Sequence, residues 1–200
     1  MTDHEFARLP DKFRDEPVAH LHFQPSIDLL VDGKFCKSID ETIHAAGVKW
    51  ERKVAVDSLG SSLPDECGLY MFVWRPELIF RFSAAPAAER LSWALYVGKA
   101  GTQDGTRDTL RQRYLSEYSK YVGKDASCLW DTKPIEKREH KLARYLTLRP
   151  LEYWFLTMLE VRDIEVLERR LIRMLNPPLN SQHGVKIRPG KPEPAFEEPK

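Results

Sequence analysis

The sequence predicts an α+β domain, a small three-stranded sheet covered by helices and preceded by an N-terminal extension. Two observations carry this. Three runs are rich in strand formers: Gly68 to Trp74 (GLYMFVW), Ser92 to Gly98 (SWALYVG) and Leu151 to Leu159 (LEYWFLTML). Helical segments separate and follow them, in the order strand, strand, helix, helix, strand, helix, which suits a sheet with helices packed on it.

Each element has its own local justification. Phe23 to Val31 alternates weakly and ends in Asp32-Gly33, a turn signal. Ser38 to Ala46 reads as a short helix, with Ser38 as N-cap, Glu41 at the capping-box position and Gly47 as its stop. Ser58 to Asp65 (SLGSSLPD) is a loop and a boundary. The first two strands are joined by a segment containing Ala84-Ala85-Pro86-Ala87-Ala88, too long for a tight hairpin. The strand ALYVG is expected to end in a turn at Gly98. Thr106 to Val122 and Lys133 to Thr147 follow as helices. Asp163 to Leu175 is the last helix, stopped by Pro177-Pro178. The organisation is thus an accessory segment over residues 1–62, a domain over 63–181, and a Pro- and charge-rich tail over 182–200 expected to be disordered.

Bulk properties narrow the class. A chain of 200 residues can bury one good core plus an extra element. Hydrophobic residues at 42% and charged residues at 30% mark a soluble globular protein. No apolar run reaches the roughly 18 residues of a membrane span, and the charged start MTDHEFARLPDKF lacks a secretory core. Cys36, Cys67 and Cys128 are odd in number and lack zinc-site spacing, which points to reduced thiols in a cytoplasmic protein. The net charge of +1 means that nucleic-acid affinity would have to come from a local patch.

Three places strain the local rules. On a helical wheel Ile164, Leu167, Leu171, Ile172, Met174 and Leu175 share one arc, with Arg169, Arg170 and Arg173 opposite, and Glu168 falls inside the apolar arc. A carboxylate there is costly unless it is ion-paired, reaches water at the rim, or binds a cation. Mg²⁺, which needs only one or two carboxylates plus waters, is one such cation. Along Leu110 to Val122, Arg113 lies beside the apolar stripe with Glu117 one turn on. It is either half of a surface i,i+4 pair or a planar fork held to grip a phosphate. Tyr96 shares its strand face with Ala94 and Gly98, and would ordinarily be a tyrosine stacked on the sheet.

Taken together and in order, Gly68-Leu69-Tyr70, Tyr96-Val97-Gly98-Lys99-Ala100, Leu110-x-x-Arg113, Glu168 and Pro178-Leu179-Asn180 resemble the signature of the GIY-YIG nucleases. The resemblance runs from about Pro64 to Ser181. It implies a small antiparallel sheet flanked by helices that hydrolyses phosphodiester bonds with one divalent metal ion, Mg²⁺ or Mn²⁺. It implies Tyr70 and Tyr96 beside the scissile phosphate, one of them acting with the attacking water. It further implies Arg113 on the phosphate, Glu168 on the metal, and Asn180 supporting the site. Lys99 matches a lysine that follows the second motif in several branches. A phenol ionises near pH 10, at about the unperturbed value, and is a poor base unless a cation stands beside its oxygen; Lys99 and the metal are the candidates. Gly98 and Tyr118 have supporting places. Some members carry a histidine one turn after the helix arginine; here Glu117 stands there.

The implied partner is DNA, double-stranded first, with a dimer left open. Between Gly123 and Pro150 lie Lys133, Lys137, Arg138, His140, Lys141, Arg144 and Arg149. They form either a solvated helix or an element contacting DNA phosphates, with Lys137, Arg138, Lys141 and Arg144 as its contacts. The expected activity is a restriction-type endonuclease, with repair-type nicking of branched or distorted DNA next. A non-catalytic DNA-binding module of the same fold is the rival from another class, although such a module would be expected to lose Arg113 or Glu168.

Overall fold

The computed structural model describes residues 23–76, 79–80, 89–101, 108–125, 128–129, 137–158 and 160–180. The fold is α+β, and its sheet has four antiparallel strands in the order β1-β6-β2-β5. Helices α1 (Ile27–Val31) and α2 (Gly33–Ala45) precede β1 (Glu51–Val54), and a 3-10 turn (Asp57–Ser62) leads to β2 (Gly68–Trp74). A separate two-stranded ribbon, β3 (Ile79–Phe80) with β4 (Glu89–Arg90), interrupts the path to β5 (Trp93–Ala100). Then come α3 (Leu110–Arg113), continued as one π-helical turn (Tyr114–Tyr118), α4 (Arg138–Tyr145), β6 (Leu151–Thr157) and α5 (Val161–Leu175). None of the described helices is long and apolar enough to cross a membrane.

The fourth strand corrects the expected three. Glu51–Val54 (ERKV) pairs with β6 as an edge strand, and its exposed, charged composition is normal for a sheet edge but hides it from a search for apolar runs. Asp32-Gly33 is not a turn before a helix capped by Ser38. The Asp32 carboxylate accepts from the Lys34 and Phe35 amides, each at 3.0 Å, and so starts α2 six residues earlier than Ser38. Ser38 sits inside the helix with its hydroxyl on the Phe35 carbonyl. The expected helix over 133–147 is described from Arg138, and the one over 106–122 from Leu110. Lys133, residues 102–107, the Ala-Pro stretch near 86 and the tail from residue 181 lie outside the described residues.

Strand β2 is central and buried on both faces, which is why its sequence is apolar without alternation. Tyr70 and Phe72 face a core with Leu59, Leu63, Leu110, Tyr114, Tyr118 and Leu142. Leu69, Met71 and Val73 face α2 and α5 through Ile39, Ile164, Leu167 and Ile172. Each such fully buried aliphatic or aromatic side chain contributes about 1.5–3 kcal/mol, so these two layers supply most of the driving force. Arg170 braces α5 to α2 by donating to the Ser38 carbonyl at 3.4 Å and its hydroxyl at 3.3 Å.

Two glycines set how closely the pieces approach. A Cβ on Gly68 would lie 2.1 Å from the Leu156 carbonyl oxygen and 3.0 Å from Leu110 Cδ1. A Cβ on Gly98 would lie 2.7 Å from Cζ and Oη of Tyr70 and 2.8 Å from Cε1 of Tyr96. Gly98 is therefore not the turn expected at that position. It pairs with Tyr70 inside β5, and the strand continues to Ala100, followed by Gly101 at φ 111°. A bulge between Phe72 and Val73 also moves Ala94 to the face opposite Tyr96, so those two do not share a side as expected.

These contacts order the glycines by tolerance. Gly68→Ala, facing backbone, should destabilise by roughly 1–3 kcal/mol or more as overpacking does. Gly33→Ala, with nothing within 4 Å of its added methyl, should be neutral or stabilise by about 0.4–1 kcal/mol. Urea unfolding of the two variants checks the order; equal midpoints would remove the close-approach account.

Candidate functional site

Strand β5 is the outermost strand on its side of the sheet. At its open edge, residues from both faces converge on one cavity of about 420 Å³, lined by Tyr70, Tyr96, Lys99, Arg113, Glu117, Tyr118, Arg138, Glu168, Ile172 and Asn180. Every residue expected to be catalytic is in this lining, although they are spread from position 70 to position 180. A larger cavity of about 940 Å³ lies between α2 and α5, but its charged lining is mainly Glu41, Glu66, Glu160 and Asp163, the wrong sign for an anion.

The tyrosines form a connected group. Tyr70 is 1% exposed, and its hydroxyl lies 2.8 Å from that of Tyr118. Burial, reinforced by the Tyr118 and Tyr96 phenols, holds the Tyr70 hydroxyl well above the usual tyrosine range. Burial pushes Tyr118 in the same direction, with Tyr96 beside it. Tyr96 is only half-buried, so it is the phenol of the three that reaches the open part of the cavity.

The helix that carries Arg113 explains why Tyr118 belongs here. Thr109 caps it, accepting from the Gln112 amide at 3.2 Å and donating to Asp65 at 2.6 Å. After Arg113 the helix widens into the π turn, closed by the Ser119 amide on the Tyr114 carbonyl at 2.9 Å. The i→i+5 turn brings Tyr118 round toward the side of Arg113, five residues earlier, where a regular helix would place it about 140° away.

Charges in the site are mostly neutralised locally. Arg113 is clamped between Asp108 and Glu117, one carboxylate on each terminal nitrogen. Its Nε is buried with no hydrogen-bond partner among the described residues. Lys99 Nζ lies 2.5 Å from Glu165, one turn before Glu168 on α5, so it ties β5 to that helix. It is not the cation beside a tyrosine oxygen. That place is taken by Arg138, whose Nη2 donates to the hydroxyls of Tyr96 at 3.0 Å and Tyr118 at 3.1 Å.

Glu168 is not ion-paired within the described part of the protein. Among the described residues no hydrogen bond or ion pair engages it, and it is half-buried in the cavity wall. Burial pushes its pKa up and Glu165 adds to this, while Lys99, Arg113 and Arg169 pull it back. No cluster of three metal-ligating side chains exists among the described residues. A lone unpaired carboxylate facing a polar cavity nonetheless fits Mg²⁺, which keeps several waters and shares its remaining sites with substrate phosphates.

Asn180 is a strand surrogate. Its side-chain oxygen accepts from the Val97 amide at 2.9 Å and its nitrogen donates to the Val97 carbonyl at 2.8 Å. The Leu179 amide adds a bond to the Leu95 carbonyl at 3.0 Å. Together they satisfy the edge of β5 at Leu95 and Val97.

The expected DNA-contacting set divides. Lys137 and Lys141 are exposed on α4 beside the cavity, and Arg138 is in the cavity itself. Arg144 is only 9% exposed, so it is not part of a basic surface; it lies with Leu142 and Tyr145 on the side of α4 turned to the core. Sequence reasoning missed Asp108 and Glu165 as partners of the site cations. Glu165 had a signal, standing three residues before Glu168 on the same helix. Comparison of the chain with protein-family models, with curated proteins and with solved structures finds no match.

Two outcomes check this geometry. Asn180→Ala should lose about 1–2 kcal/mol from the two missing bonds, and the Val97 amide should exchange with solvent markedly faster; unchanged Val97 exchange would make Asn180 a mere turn residue. For Glu168 the folded pKa lies above the unfolded one, so its stabilising contribution is present below the unfolded value and lost as pH rises through the folded value. Glu168→Gln should therefore unfold at higher urea than wild type at pH 7 in EDTA, with the gap closing toward pH 4. A wild type more stable than the variant at pH 7 would mean that the carboxylate is ion-paired after all.

Proposed function

We propose that the protein is a metal-dependent DNA endonuclease of the GIY-YIG type, hydrolysing phosphodiester bonds. The observation that carries this is the gathering of Tyr70, Tyr96, Lys99, Arg113, Glu168 and Asn180 around one cavity at the edge of β5. Phosphodiester hydrolysis needs an activated water, relief of the charge that builds on phosphorus-bound oxygens, and help for the leaving oxygen.

The residues divide these tasks. Glu168 holds the metal ion, which when bound supplies charge relief at phosphate and leaving oxygen. Arg113 offers a fixed guanidinium fork to the phosphate, which takes the place of a carboxylate now on one of its terminal nitrogens. Tyr96 meets the attacking water, because its hydroxyl is the accessible one; Tyr70 is sealed in the core and supports it through Tyr118. Asn180 fixes the strand that carries Tyr96. Lys137 and Lys141 lie where phosphates flanking the scissile bond would pass. Duplex DNA cut at a site, as in restriction, is the first substrate on this reading, and nicking of branched DNA the second.

The test uses duplex, single-stranded and branched DNAs with Mg²⁺, Mn²⁺ or EDTA. Cleavage should require metal, and Glu168→Ala and Tyr96→Phe should each lose at least about 10²-fold in rate, the size of a lost metal ligand or general base. Cutting in EDTA, or full activity in Glu168→Ala, would overturn the mechanism.

A further inference from the structure

We propose that Arg138 is the positioning residue of Tyr96, a role that rests on the nuclease reading above. Three cations line the cavity, and their partners differ. Lys99 is turned to Glu165, and Arg113 is held by Asp108 and Glu117. Arg138 alone among them spends its hydrogen bonds on phenol oxygens.

The hydrogen-bond inventory makes the consequence specific. Guanidinium nitrogens only donate, so both Tyr96 and Tyr118 must accept from Arg138 Nη2, which has two hydrogens for the two oxygens. The proton of Tyr96 is then directed away from Arg138. The guanidinium carbon also lies 5.3 Å from the centre of the Tyr96 ring, so the ring and its oxygen are both held by the same group. Through Tyr118 the hold reaches Tyr70, whose hydroxyl lies 2.8 Å further on. Glu117 Oε2 lies 3.5 Å from the same Nη2 and adds an ionic contact.

Two features place Arg138 at the rim of the tyrosine group. The Arg138 side chain is 39% exposed, so no buried charge needs neutralising there. It also arrives from the first turn of α4, whereas the tyrosines belong to β2, β5 and the π turn. Arg138 supplies the cation that Lys99 does not.

A double-mutant cycle decides it. Wild type, Arg138→Ala, Tyr96→Phe and the double variant are compared in steady-state DNA cleavage with Mg²⁺, with urea unfolding of each. Arg138→Ala should lower kcat about 10- to 100-fold with KM within about threefold, and should cost nothing further in the Tyr96→Phe background, as expected for groups acting as a unit. Arg138→Lys, which keeps the charge, should retain at least about tenfold more activity than Arg138→Gln, and this pair carries the test if alanine loosens the fold. Independent, multiplying losses, a loss confined to KM, or equal activities of the lysine and glutamine variants would overturn the proposal. Full activity of Tyr96→Phe would do the same. No cleavage by wild type on any DNA would instead remove the nuclease reading, and this proposal with it.

Discussion

The ring of Tyr70 occupies the space that a side chain at position 98 would need. With hydrogen at that position, the ring lies across β5 and brings its hydroxyl to Tyr118. Tyr70 also stacks on Tyr153 at 5.4 Å between ring centres and meets Tyr118 edge-on at 5.7 Å. The position of the Arg113 helix on the sheet, the depth of the cavity and the placing of Tyr96 all follow from that contact. A larger residue at 98 would have to push Tyr70 toward Tyr118 and Tyr153, both fully buried, where there is no slack to receive it.

Around this apolar anchor the site carries an unusual electrostatic arrangement. Arg113 and Lys99 already have carboxylate company, Arg113 with two and Lys99 with one. These pairs are partly exposed, so their net contribution to stability is small. What they do is hold long side chains in place without substrate. A phosphate entering the cavity exchanges one anion for another at Arg113 and does not have to order a free arginine. Glu168 is the exception, half-buried and unpaired among the described residues, where burial disfavours its charged form.

The sequence made the site more legible than the fold. Glu168 stood out because helical periodicity alone puts it among leucines, and Arg113 because it edges an apolar stripe. Those signals are local, and the structure brings both residues into the cavity where they were expected. Gly98 was legible as a glycine but not as the partner of Tyr70, since the clash it avoids comes from a different strand. Glu51–Val54 was invisible because an exposed edge strand needs no apolar pattern. Arg144 and Arg138 were indistinguishable as basic residues of one helix; their fates, one in the core and one in the cavity, depend on which side of α4 meets the sheet. The π turn had no signature either, although it decides that Tyr118 joins Arg113 at the cavity.

Glu117 shows what that turn changes chemically. In some GIY-YIG nucleases, which the motifs resemble, a histidine occupies this place, and a histidine can both donate and accept a proton near neutral pH. An ionised glutamate can only accept, and here it is committed to Arg113 and lies near Arg138. None of the described residues lining the cavity is a histidine. On the proposed reaction, proton transfer in this chain therefore falls to phenols and water, with the arginines fixing the phenol oxygens and the phosphate. Tyr118, admitted by the wider turn, fills the place beside Glu117 with a hydroxyl that links the buried Tyr70 to Arg138. On the proposed reaction a bound phosphate then replaces the Glu117 carboxylate on Arg113, one anion for another.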